Sequence, residues 1–200
     1  MTKVIGLTGG IASGKTTIIN FLKKIKIPTH ESDKEVKKLY KTPSKEFLSI
    51  LKKIGLKKTI DGERINKRKI REEVFASVKK RKSLEKFIHK KIKIARDKFL
   101  KNQKLKKRKI VFLDIPLLFE KKLEKICDYT VLLCAKEKTR RNRAIKRKGM
   151  NKKTLDGIIN SQFKDSVKRK KANFVINSNK SKKKCFDEIK KIINLINRDL

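Results

Sequence analysis

Short, almost continuous apolar runs alternate with helical patterns along this chain. Residues 4–8 (VIGLT), 110–113 (IVFL), 129–134 (YTVLLC) and 172–176 (ANFVI) are rich in β-branched and other apolar residues, as is typical of strands covered on both faces. A weaker run at 25–33 predicts a further strand, the second in the chain. Strands of this kind separated by helices predict a three-layer α/β fold with a parallel sheet.

Apolar positions three and four residues apart predict the helices. One helix is predicted at 15–24, directly after the first strand, and another at 181–200. The same spacing continues across residues 34–107, which predicts a helical insertion after the second strand. Residues 140–150 (RRNRAIKRKGM) predict a basic helix that ends at a glycine. In a chain of this length the elements indicate one domain, residues 1–200.

The charge balance is extreme, with 60 Lys and Arg against 20 Asp and Glu and a formal net charge of +40. Such a chain attracts polyanions, including nucleotides and nucleic acids. Lys, Ile and Asn share A/T-rich codons, so codon bias is favoured as the main source of the excess. The lysine runs at 79–82, 168–171 and 180–184 are accordingly predicted to be solvated surface. Helix-turn-helix, RNP and zinc-binding patterns are absent from the sequence, so no specific nucleic-acid partner is expected.

Neither a membrane nor an oxidising compartment is indicated. No apolar run approaches the ~18–20 residues that cross a bilayer, and the first residues lack a signal-peptide layout. The cysteines are odd in number, lack a CxxC pair and are expected to be small buried residues in a reducing cytoplasm: Cys127, Cys134 and Cys185. A monomer or weak homo-oligomer is expected.

Residues 9–16 (GGIASGKT) match the phosphate-binding pattern G-x-x-x-x-G-K-[ST], between a predicted strand and a predicted helix. Glycines allow the backbone N–H groups to approach and surround phosphates, and the helix adds its positive N-terminal end. Lys15 is expected to reach the β- and γ-phosphates, and Thr16 to offer its hydroxyl to Mg²⁺. The predicted nucleotide-binding residues are Gly9, Gly10, Ile11, Ala12, Ser13, Gly14, Lys15, Thr16 and Thr17.

Two further features favour a small-molecule kinase. Asp33 lies at the end of the predicted second strand, and ligands of parallel sheets bind at the carboxyl ends of strands. A carboxylate there can accept a proton from an attacking hydroxyl. The basic segment at 140–147 can close over a triphosphate as a lid, with Arg143 and Arg147 one helical turn apart.

The chain resembles the dephospho-CoA kinase family along nearly its whole length. The resemblance rests on IGLTGGIASGKTT at 5–17, INKRKIREEVF at 65–75, LEKFIHKKI at 84–92 and DIPLLFE at 114–120. The last of these, at this spacing from the phosphate loop, is far more specific than the loop alone. Further matches are Asp33, the lid arginines, Gln162 and the strand ANFVI, where Asn173 stands in place of the family's aspartate.

The resemblance implies ATP-dependent phosphorylation of the ribose 3′-hydroxyl of dephospho-CoA, the last step of CoA synthesis, with Mg²⁺ accompanying ATP. It implies a P-loop kinase fold in which residues 34–107 bind the acceptor and residues 137–165 form a helical lid. By position, Asp33 is the general base, and Lys15, Arg143 and Arg147 act on the phosphates. The implied acceptor-binding residues are Asp33, Arg71, His89, Asp114, Pro116, Leu117, Leu118 and Glu120.

Several of these residues have a plainer structural explanation. Asp33 can cap the helix that follows it. Asp114 fits a magnesium site, a substrate contact or a cap equally well, and the apolar residues at 117–119 fit either a substrate path or the core. His89 can be an ordinary helix residue. The rival functions are another small P-loop kinase and a nucleic-acid-binding P-loop protein.

Overall fold

The computed structural model describes residues 1–198. The chain divides into two compact units, one made of Met1–His30 with Lys101–Leu200 and one made of Glu31–Leu100. The second unit corresponds to the helical insertion predicted at 34–107, with slightly different limits. No helix among the described residues is both long and apolar enough to cross a membrane.

The first unit is built on a five-stranded sheet. In chain order the strands of the molecule are β1 Lys3–Thr8, β2 Thr29–Glu31, β3 Ile60–Asp61, β4 Arg64–Ile65, β5 Ile110–Asp114, β6 Tyr129–Cys134 and β7 Phe174–Asn177. The sheet has the order β2-β5-β1-β6-β7. Strand β1 is parallel to both β5 and β6, and β6 is parallel to β7. The predicted parallel α/β fold is confirmed, with β1 at its centre.

Helices α1 (Lys15–Lys24) and α9 (Lys182–Arg198) pack together on this sheet. Their apolar faces join the inward side chains of the strands in one core, and Phe21 of α1 stacks on Phe186 of α9 with ring centroids 4.3 Å apart. Each fully buried aliphatic side chain there contributes about 1.5–3 kcal/mol. The core therefore fixes the start of α1, where the phosphate loop ends. The part of the last helix predicted at 199–200 lies outside the described residues.

The second unit is helical. Its helices are α2 Ser32–Lys41, α3 Lys45–Lys53, α4 Lys67–Ala76 and α5 Val78–Leu105, which continues past the unit, and β3 and β4 form a short antiparallel hairpin. A separate core holds the unit together, with Phe47 stacked on Phe87 at 5.4 Å. The helical periodicity at 34–107 is thus confirmed, apart from the hairpin.

The second strand is shorter than predicted. Pro28 has no N–H for a ladder, although its carbonyl accepts a hydrogen bond from Phe112 N at 2.9 Å. Strand β2 therefore covers only Thr29–Glu31, and Asp33 lies in the first turn of α2 rather than at the end of the strand. The residue at the N-cap is Glu31, so Asp33 does not cap this helix.

The segment predicted as a lid, residues 137–165, contains α6 (Glu137–Ile145) and α7 (Lys152–Asn160) and ends at the first residue of α8 (Asp165–Lys171). The basic helix predicted at 140–150 stops at Ile145. Gly149 then adopts a φ of 78°, and the side chain of Asn151 caps the next helix by accepting from Thr154 N at 2.8 Å. The prediction that Arg143 and Arg147 share one helix face is therefore wrong, since Arg147 lies beyond the helix.

Candidate active site

The phosphate loop connects the carboxyl end of β1 to the first turn of α1. Gly14, the N-cap of α1, has a φ of 95°, a left-handed conformation that glycine adopts without strain. Ser13 N donates to the Gly10 carbonyl at 3.1 Å, and Thr17 N donates to the Gly14 carbonyl at 3.0 Å. The loop thus folds as a tight turn. The backbone amides that follow the turn are those of the N-terminus of α1.

Three side chains predicted to bind phosphate or Mg²⁺ follow the last glycine of the loop. Lys15 Nζ donates to the Gly9 carbonyl at 3.0 Å, so its stem already folds back over the loop. Thr16 is exposed in the first turn of α1, and Thr17 follows it half-buried. This first turn contains no acidic residue, so nothing there offsets the positive end of the helix.

Asp114 is the last residue of β5, at the same edge of the sheet. It pairs in register with Leu7 of β1, and Ile115 N donates to the Leu7 carbonyl at 3.0 Å. The carboxylate residue is only 8% exposed. Next to it, Thr8 Oγ1 donates to the Pro116 carbonyl at 3.1 Å. The segment after β5 is therefore tied to the last residue before the phosphate loop.

The apolar residues that follow differ in their burial. Leu118 is completely buried, and a Cβ placed on Gly6 of β1 would lie 3.1 Å from one of its methyl groups. Leu117 is half-buried. Leu118 is thus a core residue packed under the central strand, whereas Leu117 keeps accessible surface.

Glu120 ends the same segment and takes part in a buried ion pair. Its Oε1 lies 2.8 Å from Lys168 Nζ, with the two side chains 8% and 0% exposed respectively. The same oxygen accepts from Phe163 N at 2.9 Å. The prediction that Lys168 belongs to a solvated lysine run is therefore wrong, because this one residue of α8 faces inward.

Arg140 is the arginine of the basic segment at 140–147 that lies against the phosphate loop. It is 7% exposed, its Nε donates to the Ala135 carbonyl at 3.3 Å, and its Nη2 lies 3.7 Å from Asp165 Oδ2. A Cβ on Gly10 would lie 3.1 Å from the Arg140 Cζ, so the second glycine leaves the space that the guanidinium occupies. Sequence reasoning named this arginine only as a member of a basic segment.

The two arginines singled out from the sequence lie elsewhere. Arg143 donates to the Ser178 carbonyl at 2.9 Å and to its hydroxyl at 3.3 Å, which links the lid to the turn after β7. Arg147 is exposed. Asn173, before that strand, accepts from Thr130 N and Thr130 Oγ1, each at 2.8 Å. Asn173 therefore supplies the acceptor that an aspartate would provide.

The segment predicted as a lid contacts the phosphate loop through the Gln162 side chain and through packing of apolar side chains. Gln162 Oε1 accepts from Ile11 N at 3.1 Å, so a side chain after α7 satisfies a loop amide. Ala12 packs with Ala144 and Leu155 of the lid helices. The phosphate loop and the segment predicted as a lid are thus in contact within the first unit.

Asp33, Arg71 and His89 belong to the helical unit. Asp33 lies in α2, Arg71 in α4 and His89 in α5, and all three side chains are exposed. Within the first unit, the structure brings together the loop, Asp114, Pro116 and Arg140. The chemistry this supports is the binding and neutralisation of a polyphosphate.

A magnesium ion bound with a nucleotide needs few protein ligands, because it keeps waters and phosphate oxygens in its octahedral shell. Among residues 1–198 no cluster of three or more His, Cys, Asp or Glu could hold a metal by itself. The exposed hydroxyl of Thr16 and the carboxylate of Asp114 are hard oxygen donors of the kind that Mg²⁺ takes. These residues fit a nucleotide-bound ion.

The chain is similar in sequence and in fold to known proteins. A family model described as Dephospho-CoA kinase matches residues 3–184. A relative named Dephospho-CoA kinase from Bartonella quintana is 34% identical over 191 residues, covering 96% of each chain. A crystal structure of TT1252 from Thermus thermophilus superimposes with a TM-score of 0.82 at 25% identity over 97% of each chain. Dephospho-CoA kinase from Campylobacter jejuni gives a TM-score of 0.73 at 24% identity, covering 100% of this chain and 99% of that one, and supports the fold.

Proposed function

This chain belongs to the dephospho-CoA kinase family and is therefore a kinase that uses ATP to phosphorylate dephospho-CoA, and we propose that its phosphate loop, Asp33 and Arg140 carry the reaction. The observation that carries the proposal is the loop itself, built between β1 and α1 with Lys15 folded over it and Arg140 against Gly10. Backbone amides at a helix N-terminus and two cationic side chains around one loop support the binding of a triphosphate there.

The loop and Lys15 bind the β- and γ-phosphates of ATP. The backbone amides of the loop and the N-terminus of α1 supply fixed positive ends of dipoles, and Lys15 supplies a full charge on a mobile stem. Arg140 adds a guanidinium held by Ala135 and Asp165. Because phosphoryl transfer involves charge spread over the moving group, these donors lower the barrier mainly by electrostatics and positioning.

Asp33 accepts the proton of the ribose 3′-hydroxyl as that oxygen attacks the γ-phosphorus. The support for this role is the family match and its exposure in the first turn of α2. Arg71, His89 and Leu117 help to bind dephospho-CoA in the same proposal. The lid, residues 137–165, excludes water, since an open site would hydrolyse ATP.

Mg²⁺ is part of the proposal, with Thr16 and Asp114 as the residues that would hold it. The ion would supply charge neutralisation on the phosphate oxygens. We also propose a monomer or weak homo-oligomer without a specific nucleic-acid partner, in a reducing cytoplasm that suits three cysteines with no disulfide among the described residues.

The decisive experiment measures ADP release with ATP and Mg²⁺ for a set of acceptors: dephospho-CoA, adenosine, AMP, CMP, gluconate and none. Turnover only with dephospho-CoA, with CoA identified by mass, is the expected result. Turnover with another acceptor would point to a different small P-loop kinase. ATPase activity stimulated by an oligonucleotide, with steep salt dependence, would favour the nucleic-acid-binding alternative.

The general base is tested by Asp33→Asn, with Glu35→Gln as the matched control in the same turn of α2. Loss of a general base is expected to reduce kcat about 10²- to 10⁴-fold while the affinity for ATP stays unchanged. The control removes a neighbouring carboxylate and is expected to retain kcat. Near-normal kcat in Asp33→Asn would overturn the assignment.

A further inference from the structure

The segment 162–168 joins three parts of the active site. Gln162 holds the Ile11 amide of the phosphate loop at 3.1 Å. Asp165 lies 3.7 Å from Arg140, whose guanidinium lies against Gly10. Lys168, the last residue of the segment, forms the buried ion pair with Glu120. One short stretch thus contacts the loop, the lid arginine and the segment after β5.

The Glu120–Lys168 pair is the anchor of this stretch. Lys168 is completely buried and lies 2.8 Å from Glu120 Oε1, and the same oxygen accepts from Phe163 N, one residue after Gln162. A buried ammonium without its carboxylate is costly, so the pair fixes α8 and the preceding turn together. Glu120 therefore holds the backbone at Phe163, directly after Gln162.

We propose that Glu120 and Lys168 are positioning residues for ATP, which act through Gln162 on the phosphate loop, rather than residues that bind dephospho-CoA. The inference rests on the proposed function, since it concerns the ATP side of that same site. It changes the expectation for Glu120, which the family resemblance had placed among the acceptor-binding residues. The carboxylate is engaged from inside the protein by a lysine and a backbone amide.

The test compares Glu120→Gln/Lys168→Met with the wild-type enzyme. Removing both charges avoids leaving one of them buried alone, which makes folding more secure than in either single variant. The loss of one loop hydrogen bond corresponds to a factor of roughly five to ten, so KM for ATP and the dissociation constant for ADP should rise by that factor. KM for dephospho-CoA should stay unchanged. A rise confined to KM for dephospho-CoA would overturn the proposal.

A double-mutant cycle with Gln162→Ala tests whether the Glu120–Lys168 pair acts through Gln162. If the pair acts through Gln162, the paired variant should weaken ADP binding no further once Gln162 is removed. Full additivity would mean that the pair affects ADP binding by a route that does not pass through Gln162, and would overturn the proposal. Glu188→Gln, which breaks the ion pair between Lys180, before α9, and Glu188 of α9, is the control for a general charge effect and should leave ADP binding unchanged. Because ADP binding needs no acceptor, the cycle can be read even if the acceptor assignment fails.

Discussion

Replacing Arg140 by Met should remove the largest lid contribution to phosphoryl transfer. The change keeps an unbranched buried side chain but removes the charge that lies against Gly10. A unit charge about 5 Å from a phosphate oxygen is worth about 3 kcal/mol at an effective dielectric constant of ~20. The carboxylate of Asp165, 3.7 Å from the Arg140 guanidinium, offsets part of this electrostatic stabilisation. A net loss of about 2–3 kcal/mol corresponds to a decrease in kcat of roughly 30- to 150-fold.

The assay is steady-state ADP formation with dephospho-CoA, alongside a thermal melt that verifies folding. Arg143→Met and Arg147→Met are the matched comparisons. Arg143 contacts Ser178, so its loss should raise KM for ATP more than it lowers kcat. Arg147 is exposed beyond α6 and should matter least. The reasoning is refuted if Arg147→Met lowers kcat as much as Arg140→Met, or if folded Arg140→Met keeps kcat within about threefold.

Three further predictions concern residues around the site: Leu118, Asn173 and two buried cysteines. Leu118→Ala should lower the free energy of unfolding by about 2–5 kcal/mol in urea titrations, because the side chain is completely buried, and should leave KM for dephospho-CoA unchanged. Asn173→Asp keeps the acceptor for Thr130 and should be nearly neutral in the same titration, whereas Asn173→Ala should cost about 1–3 kcal/mol. Burial raises the pKa of the Cys134 and Cys185 thiols, so both stay protonated to higher pH. Labelling followed by mass spectrometry should then show slow modification of both in the folded protein, faster as pH rises; rapid labelling at mildly alkaline pH contradicts this.

Local patterns were enough to predict the elements that hold the phosphate loop. The predicted helix 15–24 coincides with α1, and the strands predicted at 110–113 and 129–134 agree with β5 and β6 within one residue. These elements are set by short-range periodicity and by a loop whose residue types are required by its chemistry. The family resemblance placed the loop in a kinase.

The residues that complete the site depend on distant partners. Lys168 stands in a run of basic residues, and nothing local marks it as the one that meets Glu120, 48 positions earlier. Arg140 and Arg143 are equivalent members of a basic segment until the fold places one on Gly10 and the other on Ser178. The four-residue spacing of Arg143 and Arg147 places both on one helix face only where the helix continues past Ile145. The structure ends α6 at that residue.

The central position of β1 sets an order of assembly. Lys3 pairs with Ile110 and Thr8 with Leu132, so β1 has no partner in the sheet until residues 110–132 have been synthesised. Contacts of such large sequence separation form late and slowly. The phosphate loop, which β1 carries, therefore becomes an ATP site only after β5 and β6 have been synthesised. A chain interrupted before β6 would display the complete loop sequence and lack the strand pairing that holds it in place.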